Sequence, residues 1–262
     1  MNTEVFKRIF LSLFVVALLP VGAVSEAEID DAVLKDTALE DVIAGEWRSV
    51  DDKSRDTSRR PGESLQFWGL KPGASILEVQ PGAGWWTQIL APYAARTGGR
   101  YAATAADLGN PNLSEAAPLP EGSYDFILVS RSIHGWMRNE GALDRNLGLL
   151  ARALKKGGVL AIEQHRGNPG PQDPKAANGY VTEAFVIEAA QKVGLKLDGR
   201  SEINANARDT KDHPFGVWTL PPTRSTVPYG SGKPADPAFD RSKYDAIGES
   251  DRMTLRFVRS AD

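Results

Sequence analysis

The sequence predicts an α/β fold in which one mostly parallel sheet is covered by helices on both faces. Short apolar segments alternate with segments of helical periodicity from Ser75 onward, and glycines mark the boundaries between them. The segment Tyr124–Ser130 is a continuous apolar run, typical of a strand buried on both faces of a parallel sheet. Alternating strands and helices connect by right-handed crossovers, so successive strands pair in parallel.

Residues 1–25 are expected to be a secretory signal peptide. Lys7 and Arg8 precede an apolar run that ends at Leu19, and small residues follow between Ala23 and Ser25. The run is shorter than the roughly 20 apolar residues that a membrane span needs, although an uncleaved anchor is the alternative. We therefore predict an exported, periplasmic protein that has no membrane attachment after cleavage.

Composition excludes several classes of function. The chain of 262 residues has no cysteine, so disulfides, cysteine-ligated zinc and thiol nucleophiles are excluded. The net charge is −3 and no block of basic residues is present, which argues against a nucleic-acid partner. A small-molecule substrate is expected instead, and the oligomeric state is left open.

Residues 26–262 are predicted to form a single domain with a helical extension at residues 26–70. Apolar positions between Ile29 and Ile43 indicate a leading helix, and Asp51 to Arg60 is a charged link. Pro61 suits the first turn of a helix that ends near Trp68, because its fixed φ is already helical.

The alternating region supplies the remaining elements. The predicted strands are Ser75–Val79, Arg100–Thr104, Tyr124–Ser130, Val159–Glu163, Leu195–Ile203 and Met253–Val258. The predicted helices include Trp85–Ala95 and Thr182–Val193. A third predicted helix carries Leu143, Leu147, Leu150 and Leu154 on one face, and Lys156-Gly157-Gly158 is expected to terminate it. A long polar loop, residues 204–251, is interpreted as a surface excursion or a lid.

The turn after the first strand is the leading candidate for a binding site. Glu78 lies at the end of that strand, and Gly82 and Gly84 allow the backbone to bend sharply and approach a ligand. The following helix start offers free N–H groups and a positive dipole end. In parallel sheets ligands bind beyond the carboxyl ends of the strands, which is where this turn lies. A tight structural turn is the alternative.

With these elements the chain resembles the class I S-adenosylmethionine-dependent methyltransferases, and more narrowly a family of predicted exported bacterial methyltransferases. The motifs that carry the resemblance are Arg55-Asp56 to Arg60-Pro61, Leu77 to Thr87 (LEVQPGAGWWT), Ala91-Pro92-Tyr93, Leu154 to Leu160 (LKKGGVL), His165-Arg166 and Thr254 to Phe257 (TLRF). The resemblance implies a three-layer, Rossmann-like sheet with a final antiparallel strand. It also implies S-adenosylmethionine at the first turn, held by Glu78, Gln80, Gly82, Ala83, Gly84, Asp107 and Ser130.

The sequence departs from the wider methyltransferase pattern at three places. Gln80 replaces the first glycine of the turn. The acidic residue expected at the end of the second strand falls on Thr104 or Ala105, so Asp107 takes this role only if the strand is longer. The short stretch from Leu108 to Gly122 predicts a sheet abridged after the second strand.

Three histidines follow strands and are expected at the same edge of the sheet: His134, His165 and His213. We select His134 and His165 as candidate proton acceptors, since a neutral imidazole titrates near the working pH. Ordinary hydrogen-bonded loop histidines are the alternative. A metal site that adds Glu163, Asp212 or Asp107 has little support from spacing, so none is predicted.

Several other side chains have two interpretations. One of Trp85 and Trp86 could line the pocket while the other packs in the core. Arg131 and Arg166 could bind a carboxylate or form surface ion pairs. Arg55, Asp56 and Arg59 could cover the mouth of the site or form a solvated charge run.

The predicted function is therefore methyl transfer from S-adenosylmethionine to an unidentified small molecule. A non-catalytic periplasmic module that binds a ligand or a partner on the same fold is the main alternative, and a metal-assisted hydrolase is the second.

Overall fold

The computed structural model describes residues 36–104 and 119–260. The predicted signal peptide, the start of the leading helix, Asp107 and most of the stretch predicted to abridge the sheet lie outside these ranges. Within the described ranges, none of the helices combines the length and apolar character needed to span a bilayer.

Helices precede the sheet and then alternate with its strands. The helices are α1 (Thr37–Ala44), α2 (Val50–Ser54), α3 (Asp56–Arg59), α4 (Pro61–Trp68), α5 (Thr87–Thr97), α6 (Ile133–Trp136), α7 (Ala142–Ala153), α8 (Glu183–Lys192) and α9 (Ser242–Ile247). The strands are β1 (Ser75–Val79), β2 (Arg100–Thr104), β3 (Tyr124–Ser130), β4 (Leu154–His165), β5 (Leu195–Ser201) and β6 (Arg252–Arg259).

The described strands build one six-stranded sheet with the order β2-β1-β3-β4-β6-β5. Neighbours from β2 to β4 pair in parallel. The last strand, β6, lies between β4 and β5 and is antiparallel to both. The predicted α/β class, the mostly parallel sheet and the final antiparallel strand are confirmed.

Alternate side chains of the strands point into two separate cores. On one face Leu77, Ile127 and Leu160 pack with the buried side of α7 and α8. On the other face Ile76 and Phe126 pack with α1, α4 and α5. This arrangement gives three layers, with the sheet in the middle, because each strand residue is buried by the helices on its own side.

One sequence prediction of local structure is wrong. The helix α7 ends at Ala153, and Leu154 is already extended, so Gly157 and Gly158 lie inside β4 instead of terminating the helix. The pairing of β3 with β4 is irregular at this point, between Tyr124 and Phe126. Glycines inside a strand often accompany such irregular pairing. In the sequence the same glycines resemble the signal for the end of a helix.

Most of the charged link at residues 51–60 is helical. Ser49 caps α2 by accepting a hydrogen bond from the Asp52 backbone N–H. The Arg48 guanidinium donates two hydrogen bonds to the Asp56 carboxylate, at 2.7 and 2.8 Å, and so fixes the start of α3. Some of these charges therefore form ion pairs that help to order the segment.

Candidate active site

A cavity of about 550 Å³ opens at the carboxyl edge of the sheet, beyond β1, β3 and β4. Cavities of this size are typical of small-molecule sites, and the edge of the sheet is the expected place for one. The lining residues are Arg55, Arg59, Gln80, Pro81, Gly82, Ala83, Trp85, Ser130, Arg131, Ser132, His134, Gly135, His165, Val217, Trp218, Pro221, Pro222, Thr223, Tyr229 and Arg252.

Most of the predicted site residues meet at this cavity. Gln80, Gly82, Ala83, Ser130, His134 and His165 line it, whereas Glu78 and Gly84 do not. Asp107 lies outside the described residues.

The turn between β1 and α5 has left-handed backbone at alternate positions. The φ values are +52° at Gln80, +60° at Gly82 and +81° at Gly84. Gln80 thus adopts the conformation that a glycine would favour, at a strain of roughly 1 kcal/mol or more. Its backbone N–H donates to the Thr104 carbonyl at 2.7 Å, and its side-chain Oε1 accepts a hydrogen bond from the Trp136 indole at 3.1 Å. These bonds hold the turn in shape without the first glycine.

Glu78 organises the turn from below and does not face the cavity. Its Oε2 accepts hydrogen bonds from the hydroxyls of Thr87, at 2.8 Å, and Tyr101, at 2.7 Å. Burial raises the pKa of Glu78, although these hydroxyl donors oppose the shift. The structure therefore favours a structural role for Glu78, in which its side chain links α5 and β2 to the end of β1.

The two tryptophans divide their roles. The Trp86 indole is buried and donates to the Ser130 hydroxyl at 3.2 Å and the Glu163 carboxylate at 3.3 Å. Trp85 lines the cavity, and its indole N–H donates to the Asp52 carbonyl at 2.9 Å. The Arg59 guanidinium lies over the Trp85 ring, 4.8 Å from its centroid. Trp85 therefore forms part of the cavity wall, whereas Trp86 packs in the core and does not line the cavity.

A buried group of ion pairs lies behind the cavity. Glu163, at the end of β4, accepts a hydrogen bond from Ser130 at 2.6 Å and pairs with Arg252 at 3.0 Å. Burial opposes ionisation of Glu163, but Arg252 and then Arg131 lower its pKa. Glu249 pairs with Arg252, with Arg59 at 3.0 Å and with Arg55 at 2.9 Å. Both carboxylates are therefore ionised at neutral pH.

Arg131 occupies an unusual backbone position at the end of β3. Its φ is +56°, and its backbone N–H donates to the Glu163 carbonyl at 2.7 Å. This bend directs the residue into the cavity wall. Burial is the main cause that lowers the pKa of Arg131.

His134 and His165 lie next to each other, with ring centroids 5.5 Å apart. The Nδ1 atom of His134 lies 3.1 Å from the Gln164 amide nitrogen, and that of His165 lies 2.6 Å from the Ser250 hydroxyl. Burial is the main cause that lowers the pKa of His134 to about 4, and burial also lowers the pKa of His165 well below its usual range. Both imidazoles are therefore neutral at pH 7.

Part of the long loop closes the cavity. The Trp218 and Tyr229 rings stack in parallel, with centroids 4.9 Å apart, and both line the cavity. A second cavity of about 710 Å³ shares this aromatic pair and contains His213. Residues 217–229 of the long loop therefore form part of the wall of the candidate site, and its interpretation as a lid stays a prediction.

Other candidates are placed elsewhere. Arg166 pairs with Glu202 at 2.7 Å and Asp251 at 2.9 Å, and it does not line the cavity. His213 pairs with Asp209 at 2.8 Å. In residues 36–104 and 119–260, no three His, Asp or Glu side chains are grouped so that they could hold a metal ion.

Sequence reasoning missed the contribution of the C-terminal region. Arg252 lines the cavity from the first position of β6, and Glu249 just before it binds the arginines of the N-terminal helices. The only signal was the unusual concentration of charged residues just before an otherwise apolar strand.

No protein-family model matches the chain, and no curated protein matches it. Solved structures do match. A SAM-dependent methyltransferase from Aquifex aeolicus is 23% identical, with 59% of this chain and 89% of that chain covered and a TM-score of 0.44. The N-methyltransferase NodS from Bradyrhizobium japonicum is 14% identical, with 81% and 98% covered and a TM-score of 0.43.

A third match is the 1,6-didemethyltoxoflavin-N1-methyltransferase from Burkholderia thailandensis, whose structure contains 1,6-didemethyltoxoflavin and S-adenosylhomocysteine. It is 14% identical, with 89% of this chain and 90% of that chain covered and a TM-score of 0.44. At these identities the likeness concerns the fold alone.

Proposed function

We propose that this protein transfers a methyl group from S-adenosylmethionine to a small molecule bound in the cavity. The observation that carries the proposal is the turn at residues 80–84, which has left-handed backbone at alternate positions and borders a cavity at the carboxyl edge of the sheet. Backbone of this shape can approach a bound nucleoside closely, because no side chain projects from the glycine positions.

The residues of the turn fit such a ligand. A Cβ atom built on Gly82 would meet nothing within 4 Å, so the space in front of this residue is open. Gln80, Gly82, Ala83 and Ser130 line the cavity and would hold the methyl donor, while Glu78 and Gly84 would shape the turn from behind. A role for Asp107 stays a prediction. When bound, S-adenosylmethionine would supply an electrophilic methyl group.

His134 and His165 are better suited to positioning the acceptor than to removing a proton. A general base works best when its pKa lies near the operating pH, and the pKa of His134 is lowered to about 4. The Nδ1 atom of each ring is already engaged by Gln164 or Ser250. The Nε2 atom of each ring remains for a ligand, since it has no hydrogen-bond partner among the described residues.

Titration calorimetry with S-adenosylmethionine and S-adenosylhomocysteine tests the proposal. We expect wild-type protein to bind both, and Gly82→Leu to weaken both by about tenfold or more because the new side chain occupies the open space. Gly98→Leu is the matched control, since Gly98 also has a left-handed φ (+73°) and open space around it but lies outside the cavity.

Absence of heat from wild-type protein at millimolar ligand, or equal affinities for the two leucine variants, would contradict the proposal. In that event the non-catalytic binding module is the better account of the cavity. From the charge and hydropathy pattern of residues 1–25, we further propose that the protein acts in the periplasm.

A further inference from the structure

The guanidinium of Arg59 is a buried group at the cavity that lacks hydrogen-bond partners for two of its nitrogen atoms. The residue lines the cavity. Because only 1% of it is exposed, its side chain is almost completely surrounded by protein. Its Nε donates to Glu249, while Nη1 and Nη2 have no hydrogen-bond partner. Burying charged donors without acceptors is costly, and such groups therefore point to a ligand that supplies acceptors.

Arg59 also belongs to a group with surplus positive charge. Among the described residues, the guanidiniums at the cavity are Arg55, Arg59, Arg131 and Arg252. The carboxylates that pair with this group are Glu163, Glu249 and, 3.9 Å from Arg55, Asp52. Four cations thus face three anions. Burial and then Arg131 lower the pKa of Arg59 to about 9, which leaves it charged at neutral pH.

The Arg59 guanidinium is held in a fixed position. Its Nε donates to Glu249, and its Cζ atom lies over the Trp85 ring, 4.8 Å from the centroid. Nη1 and Nη2 together form the two-pronged donor that matches the paired oxygens of a carboxylate or a phosphate. Arg131, whose Nε makes one long hydrogen bond of 3.4 Å to Ser130, lines the same cavity.

We infer that Arg59, assisted by Arg131, binds an anionic oxygen group, a carboxylate or a comparable oxyanion, of the methyl acceptor. This inference rests on the proposed function and narrows its acceptor to acidic small molecules. The sulfonium of the methyl donor is itself positive, so an uncharged acceptor would leave the charge surplus of the cavity uncompensated. An acidic acceptor neutralises it.

The test combines two ligands, and 5′-methylthioadenosine as a control ligand without the donor's carboxylate, with four proteins at constant ionic strength. Calorimetry measures inorganic phosphate as a probe of the anion site, and S-adenosylhomocysteine as a probe of the donor site. The proteins are wild type, Arg59→Gln, Arg59→Lys and the matched control Arg60→Gln. Arg60 is exposed, adjacent in sequence and absent from the cavity lining, so its replacement removes the same charge.

We expect Arg59→Gln to weaken phosphate binding by about tenfold or more, and Arg59→Lys to weaken it less because the charge remains without the paired donors. Arg60→Gln should stay within about twofold of wild type for phosphate. S-adenosylhomocysteine should bind all four proteins within about threefold. Both Arg59 variants are expected to fold, because Glu249 still pairs with Arg55 and Arg252. If Arg59→Gln does not fold, Arg59→Lys still tests the inference.

Three results would overturn the inference. Phosphate binding that is absent in wild type, or unchanged in Arg59→Gln, would remove the anion site. A selective loss of S-adenosylhomocysteine affinity in Arg59→Gln, with affinity for 5′-methylthioadenosine unchanged, would assign Arg59 to the carboxylate of the donor instead. Phosphate binding without any S-adenosylhomocysteine binding would retain the anion site but refute the methyl-transfer role.

Discussion

Replacing His134 by Gln is expected to change how the stability of the protein depends on pH. Burial, opposed by the hydrogen bond with Gln164 and reinforced by Arg138 and Arg131, lowers the pKa of His134 from the ordinary 6.5 to about 4. The unfolded chain therefore binds a proton on this histidine at pH values where the folded chain does not. The free energy of unfolding consequently falls as the pH decreases from 6.5 to 4.

The size of the effect follows from the two pKa values. At about 1.4 kcal/mol per pH unit, the wild-type protein loses about 2 kcal/mol between pH 7.5 and pH 5 through His134, and about 3 kcal/mol by pH 4. In His134→Gln this contribution is absent. His165 titrates in the same direction in both proteins, and because the two rings interact, its own contribution shrinks slightly in the variant.

Urea denaturation of wild type and His134→Gln at pH 8.5, 7.5 and 5 measures the effect. The difference between the two proteins should be constant from pH 8.5 to 7.5, where the ring is neutral in both states, and should shift by about 2 kcal/mol in favour of the variant at pH 5. A difference that stays constant down to pH 5 would show that the His134 ring is accessible to protons in the folded protein, and the argument from burial would be wrong.

Three further substitutions test the architecture of the site by equilibrium denaturation. Tyr101→Phe removes a hydroxyl donor from the buried Glu78 carboxylate and should destabilise the fold by about 1–3 kcal/mol; no change would mean that water replaces it. Gln80→Gly relieves the strain of the left-handed backbone but loses the hydrogen bond from Trp136, so the free energy of unfolding should change by no more than about 1 kcal/mol. A larger loss of stability would show that the Gln80 side chain is what holds the turn. Glu163→Gln leaves buried guanidiniums uncompensated and should cost about 3–5 kcal/mol, a value that a neutral result would contradict.

The sheet could be predicted from sequence because its signals are local. The bounds of β1, β2 and β3 agree with the apolar segments that predicted them, and Pro61 opens α4 as expected. The turn at Gly82 was recognisable for the same reason, since the residues that shape it are neighbours along the chain. Placing candidate residues at one edge followed from the parallel pairing of the strands.

The charge arrangement of the site could not be predicted, because its partners are distant in sequence. Arg59 and Glu249 are 190 residues apart, and nothing near either residue indicates the other. Whether the charges at residues 51–60 are solvated or buried depends on that pairing. For the same reason the lowered pKa values of His134 and His165 could not be predicted, since they arise from burial and from arginines that are distant in sequence or on other elements.

The position of β6 makes the sheet depend on residues 252–259. Among the described strands, β6 lies between β4 and β5, and it is the neighbour that joins β5 to the rest of the sheet. The same strand contains Arg252, which forms an ion pair with the buried carboxylate of Glu163. A chain that lacks residues 252–259 therefore cannot join β5 to β4, and it lacks Arg252 in the wall of the cavity.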